Sequence, residues 1–154
     1  MAEVDLRLFI DAPPERVWEI ISDLSGQERW MEDVACLDIV SEVKNGQGAV
    51  LDLTSQLFGL PLIHDVMEIT KWDAPRELGV VHRGQFTGTA YFRLDSASGG
   101  TIFTWFEEFE PPLGPLGELG FALLVGPHLR RVWSKSMRNV KRLAEAGASE
   151  TAAP

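Results

Sequence analysis

The sequence offers a single cysteine, Cys36, so no intrachain disulfide can form, and neither a cysteine-rich zinc site nor a CxxC redox pair is possible. A lone residue of this kind reads as a small buried hydrophobe. Histidine is scarce as well: His64, His82 and His128 are the only three. No HxH, HExxH or EF-hand spacing accompanies them, so no metal site is expected. No uninterrupted run of about 18 apolar residues occurs, which excludes a membrane-spanning helix and stable membrane insertion. GxSxG, GxGxxG and GxxxxGK[ST] are all missing, which leaves serine-hydrolase, dinucleotide and P-loop chemistry without support. No cofactor is implied. Positive charge is also short, with 14 Lys and Arg against 23 Asp and Glu and a net charge of −9. Phosphate binding relies on clustered cations, so no nucleic-acid partner is expected, and general adhesion to anionic lipid is disfavoured. The opening MAEVDLRLFI lacks the basic start and long apolar core of a signal peptide, and the expected location is cytoplasmic.

What remains is ordinary globular material. The 154 residues, 45% hydrophobic and 24% charged, suit one domain with a substantial core. We expect that domain over 1–146 and a small, polar, flexible tail over 147–154. Glu3 to Ile10 alternates, with Val4, Leu6, Leu8 and Ile10 set against Glu3, Asp5 and Arg7, as a half-buried strand does. Asp11-Ala12-Pro13-Pro14-Glu15 reads as a helix start, because proline's missing N–H costs nothing in the first turn. Val17, Ile20, Ile21 and Leu24 continue at helical spacing until Ser25-Gly26. A second short helix is expected around Gln27–Met31.

Turn signals then separate six strand candidates: Val34–Val43, Ala49–Gln56, Leu62–Trp72, Glu77–Arg83, Phe86–Asp95 and Thr101–Glu110. Turns every 8–12 residues indicate consecutive antiparallel strands and not βαβ units. From Leu116 to Ala146 the period becomes helical, with a kink expected at Gly126-Pro127. Val125, Leu129, Val132, Trp133, Ser136, Val140 and Leu143 share one arc; Arg130, Arg131, Arg138, Lys141 and Arg142 share the other. The last helix should therefore cover the apolar face of a curved seven-stranded antiparallel sheet, an α+β architecture. A strongly curved sheet cannot close fully on a straight helix, and that geometry implies a cavity between them.

Two stretches, Ala12 to Leu24 (APPERVWEIISDL) and Gly99 to Trp105 (GGTIFTW), resemble the START-like, or SRPBCC, superfamily. Asp73 to Leu78 (DAPREL) and Pro112 to Gly117 (PLGPLG) resemble its polyketide cyclase/dehydrase and lipid-transport branch at the corresponding places. The resemblance runs from about Val4 to Leu143. It implies a helix-grip fold, with the sheet wrapped around the long C-terminal helix and two short helices after the first strand. It also implies a cavity for a lipid-, sterol-, polyketide- or quinone-like molecule, which some members cyclise or dehydrate. The motifs themselves are a helix start, turns and a strand, and none holds a catalytic group.

In the last strand, if Phe103, Trp105 and Phe109 face the core, period-2 alternation places Glu107 beside them. A carboxylate so placed is desolvated, and its pKa rises toward acid–base use. The alternative is a bulge at Glu107-Glu108 that keeps it wet. His128, just after the kink, is either a proton shuttle at the cavity mouth or a surface or capping histidine. The facing of His64 and His82 is open. Five tryptophans (Trp18, Trp30, Trp72, Trp105 and Trp133) offer broad apolar surface, and two or three should touch the cavity. The expected lining is Trp30, Leu53, Met67, His82, Phe92, Trp105, Glu107, Val125, His128 and Val132. The first expectation is a binding or carrier protein for a hydrophobic small molecule, monomeric or homodimeric. The second is a cyclase or dehydratase using Glu107 and His128 as acid and base. The third is an interaction module with a vestigial cavity.

Overall fold

The computed structural model describes residues 1–152, the side chains as far as 147. Strand β1 (Ala2–Ile10) buries Val4 and Ile10 while Glu3, Asp5 and Arg7 point to water. Helix α1 (Pro14–Ile21) starts from an extended Pro13, with Pro14 in its first turn, and buries Val17, Trp18, Ile20 and Ile21. It stops at Ser22, earlier than the apolar spacing suggested. The second short helix is a 3-10 turn over Leu24–Arg29, displaced upstream of the expected Gln27–Met31.

Six further strands follow: β2 (Val34–Ile39), β3 (Val50–Leu57), β4 (Leu60–Asp73), β5 (Glu77–Arg83), β6 (Thr87–Ala97) and β7 (Gly100–Phe109). They form one antiparallel sheet in the order β1-β7-β6-β5-β4-β3-β2. Strand β2 stops short of the expected Val43. Ser41 Oγ accepts the Val50 N–H at 2.8 Å and donates to the Val43 carbonyl at 2.6 Å, so its side chain takes over from the ladder. Strand β4 begins earlier than expected. Phe58 and Gly59, at φ of 53° and 80°, make a two-residue turn between Leu57 and Leu60. Positive φ at both central positions suits the right-handed twist of the flanking strands.

Register slips fall at Val34/Cys36, Ser55/Leu57 and Ile69/Lys71, all in the β2–β4 half. Irregularities of this kind bend a strand and increase its twist, which supplies the sheet's curvature. The β1–β7 and β6–β7 registers run without interruption. Cys36, expected in the core, is exposed: it lies on the edge strand, and β2's inward positions go to its neighbours such as Leu37.

The C-terminal helical stretch has three parts: α2 (Gly114–Gly120), a π-helical turn (Phe121–Val125) and α3 (Gly126–Ala152). The irregularity lies just before Gly126-Pro127 and not at it. Pro127 cannot donate a hydrogen bond, and a wider turn upstream accommodates the carbonyl it would have served. Helix α3 buries Leu129, Trp133, Ser136, Met137, Val140 and Ala144 against the concave face of the sheet. Leu143, assigned to the apolar arc by spacing, is 38% exposed, and Met137 occupies the buried row instead. The helix continues over 147–152, within the expected tail of 147–154, and 153–154 lie outside the described residues. Among the described residues no helix is long and apolar enough to cross a membrane.

One end of the space between sheet and helix is solid. Ile10, Val17, Ile21, Phe103 and Val140 are fully buried in one cluster there. Towards the other end, Trp105 of the sheet and Trp133 of α3 stack with centroids 5.0 Å apart and planes at 13°. Beyond them the space stays open.

Candidate functional site

The unbroken β7 register decides the facing of Glu107. It sits between Val4 of β1 and Ala90 of β6, on the face shared with Phe103 and Trp105. No bulge intervenes at Glu107-Glu108, so the carboxylate points inward. Trp105 Nε1 donates to Glu107 Oε1 at 3.0 Å. Burial among apolar neighbours pushes the Glu107 pKa up to about 7. The positive charge of His82 and the Trp105 N–H oppose that rise, and the nearby Asp33 and Asp65 charges reinforce it.

His82, on β5, pairs across to Met67 of β4 and Gly88 of β6, which puts it on the same inner face. Its Nδ1 lies 2.5 Å from Asp65 Oδ2. Since an ionised carboxylate can only accept, Nδ1 carries the hydrogen. Asp65 is itself fixed, because its Oδ1 accepts the N–H groups of Val66 at 2.9 Å and Gly84 at 3.1 Å. A Cβ at Gly84 would stand 2.5 Å from that Oδ1, so only glycine allows the approach. His82 Nε2 is buried and has no hydrogen-bond partner among the described residues. Burial works against protonation of His82. The Asp65 hydrogen bond and the charges of Glu107 and Asp65 outweigh it, and the imidazole pKa lies above its ordinary value.

A third carboxylate comes from the segment before β2. Asp33 Oδ2 accepts the Trp133 Nε1–H at 3.0 Å, while Oδ1 is buried without a partner. Burial raises the Asp33 pKa; the Trp133 and backbone N–H groups and His128 act against it, and Glu32 adds to it. The stacked indoles thus each direct an N–H to a different carboxylate.

These groups line a cavity of about 450 Å³ between the sheet and the C-terminal helical stretch. Most of its wall is apolar, from Leu51, Leu53, Met67, Val80, Phe92 and Val125 among others. Leu113, Leu116 and Leu124 line it while being 83%, 76% and 67% exposed, which marks its mouth.

Seven of the ten residues expected to line a cavity do so: Leu53, Met67, His82, Phe92, Trp105, Glu107 and Val125. Three do not. Trp30 is 1% exposed and sits behind the wall, edge-on to Phe92 and Trp105. Val132, one position before the inward Trp133, packs at the core's margin. His128 faces the β3–β4 turn, where its Nε2 accepts the Phe58 N–H at 3.2 Å and its ring lies 4.5 Å from the Phe58 ring. Val125, Leu129 and Trp133 follow one row at four-residue spacing and point inward, and His128, about 100° round the helix from Leu129, does not. His64 faces outward, with Nε2 2.7 Å from Asp52 Oδ1 on the exposed side of the sheet. Of the five tryptophans, Trp105 and Trp133 reach the cavity.

Sequence reasoning missed Asp65 and Asp33. Asp65 had a signal: Ile63, Asp65, Met67 and Ile69 alternate on one face of β4, so the aspartate stands in an apolar row. Asp33 had none, since its burial depends on Trp133, 100 residues away.

A family model described as polyketide cyclase / dehydrase and lipid transport matches residues 1–145. No curated protein sequence shows a significant match. Among solved structures, TTHA0849 from Thermus thermophilus is 20% identical with a TM-score of 0.80, covering 95% of this chain and 99% of that one. The Zhui aromatase/cyclase from Streptomyces sp. R1128 is 17% identical with a TM-score of 0.73, covering 94% and 93%. The Aha1 dimer from Colwellia psychrerythraea is 15% identical with a TM-score of 0.66, covering 96% and 98%. Identities this low speak to the fold alone.

Proposed function

The chain belongs to the polyketide cyclase/dehydrase and lipid-transport family, and from that premise we propose that it binds a hydrophobic small molecule between its sheet and its C-terminal helix. The guest is lipid-, polyketide- or quinone-like, with an apolar body against the leucines and aromatic rings and one polar end toward the group formed by Glu107, His82 and Asp33. The observation that carries this reading is the concentration of polar groups in an otherwise apolar cavity: Glu107, His82 and Asp33 all reach it. Sites that bind small molecules pair broad apolar walls with a few placed polar groups. A guest that buries about 300 Å² of apolar surface gains roughly 7 kcal/mol before the costs of association. The proposed setting is the cytoplasm, with the protein acting as a monomer or homodimer.

The test uses N-phenyl-1-naphthylamine, a neutral fluorophore, together with native mass spectrometry of the purified protein. The expected result is saturable fluorescence enhancement and one guest per chain. Failure of the probe to bind, with no co-purified apolar mass, would sink the reading.

A second reading is favoured by one specific observation, the Asp65-fixed His82 in the same cavity as Glu107. It is proton-transfer catalysis of the cyclising or dehydrating kind, with His82 in the role first given to His128. In a dehydration, ionised Glu107 takes a proton from carbon alpha to a carbonyl, and the C–H electrons form the new double bond. Protonated His82 gives its Nε2 proton to the departing hydroxyl, which leaves as water. Glu107→Gln should then abolish turnover and leave probe binding intact. A carrier has no turnover to lose.

A further inference from the structure

We propose that the cavity selects a guest whose polar end is a hydrogen-bond donor, a hydroxyl or an amine, and rejects the same guest when that end is a carboxylate. The inference rests on the small-molecule reading above and names the chemistry of the polar end.

Among the described residues that line the cavity there is neither Lys nor Arg. Its strongly polar groups are three carboxylates, Asp33, Asp65 and Glu107, against one imidazole, His82. The arginines of α3 offer no help, because Arg130, Arg131, Arg138 and Arg142 face solvent. The single cationic candidate is already compensated, since His82 is held by Asp65 and feels the charge of Glu107. An anionic end brought here would shed its hydration and meet like charge; His82 keeps Nε2 unpartnered, but its charge is already compensated by Asp65 and Glu107.

A donor meets the opposite situation. In its ionised form Asp33 offers Oδ1 as a buried acceptor with no partner among the described residues, while its sister oxygen is fixed by Trp133 at 3.0 Å. An acceptor left unmet in a dry site is costly, and a guest's O–H or N–H relieves that cost. Asp65 cannot play this part, because both its oxygens are occupied by His82, Val66 and Gly84. An ammonium end would in addition find the aromatic side chains of Trp105, Trp133 and Phe92 lining the same space. The open acceptor therefore lies on the segment before β2, beside Trp133 of α3, and the His82–Asp65 pair lies on β5 and β4.

The test compares three dodecyl compounds, 1-dodecanol, dodecylamine and dodecanoate, as displacers of N-phenyl-1-naphthylamine near neutral pH and below their micelle concentrations. The alcohol, the amine or both should displace the probe at concentrations at least about tenfold lower than dodecanoate, as like-charge placement predicts. Which of the two succeeds identifies the donor. In the double variant Asp33→Asn, Glu107→Gln the discrimination against dodecanoate should fall below about threefold. Dodecanoate displacing as well as both other compounds from the wild-type protein overturns the inference while leaving the small-molecule reading intact. Absence of probe binding overturns both. The decisive comparison is made on the wild-type protein and does not depend on any variant folding.

Discussion

Trp105 of β7 and Trp133 of α3 stack 5.0 Å apart, and each gives its indole N–H to a separate carboxylate, Glu107 and Asp33, at 3.0 Å. The pair joins sheet to helix at the inner end of the cavity. It also ties the protonation of two buried acids to the packing of two large rings.

Removing one indole N–H should therefore cost more than lost area. Trp133→Phe keeps a ring in the stack but leaves both oxygens of Asp33 without a side-chain donor. A loss of about 1–3 kcal/mol is expected, as for other buried groups stripped of a partner. Urea unfolding measures it. Adding Asp33→Asn should recover part of the loss, and equal losses in the single and double variants would contradict the coupling.

Glu107 makes the empty protein pH-sensitive in a definite direction. Its folded pKa of about 7 lies above the ordinary 4.5. The associated stability is therefore fully present below pH 4.5 and is lost as pH rises through 7, with no further change above. The shift corresponds to roughly 3 kcal/mol at most. Glu107→Gln cannot ionise, so it should be more stable than wild type at pH 8 and no more stable at pH 4.5. Denaturant titrations at the two pH values decide it.

His82 titrates with the same sign, since its folded pKa is also raised. The stabilisation by Asp65 is present below the ordinary histidine value and disappears as pH rises through the folded one. Asp65→Asn should lower the His82 pKa, read from its imidazole NMR signals against pH. It should also destabilise the protein more at pH 6 than at pH 9. An unchanged His82 titration would refute the pairing.

His128 should prove dispensable to the cavity. His128→Ala removes the acceptor for the Phe58 N–H and the ring beside it. Amide hydrogen exchange at Phe58 should accelerate, with a stability loss of about 1 kcal/mol or less, since the hydrogen bond is partly exposed. Probe affinity should stay within about twofold; a tenfold fall would restore His128 to the binding site.

Local chemistry made much of the architecture legible. Pro13-Pro14 started α1, and Gly59 and Gly99 each ended a strand where the chain needed positive φ. Glu107 could be placed because β7 carries no bulge, so alternation counted from Phe103 held for its full length. The same count over Ile63, Asp65, Met67 and Ile69 would have revealed Asp65. His128 was misplaced because it stands at the border of the inward arc, and the β3–β4 turn, where Phe58 meets it, decides which way it faces. Leu143 and Met137 exchanged places for a related reason: the buried arc of a helix is set by what it rests on as well as by its own period.

Sequence alone determined the elements, their antiparallel order and the apolar faces, because period, turn residues and proline act over a few neighbouring positions. Tertiary structure decided which polar groups share a cavity. His82 meets Asp65 across adjacent strands, and Asp33 meets Trp133 across 100 residues of chain. A buried carboxylate owes its pKa and its free valence to the groups that surround it in space, and folding alone brings those groups together.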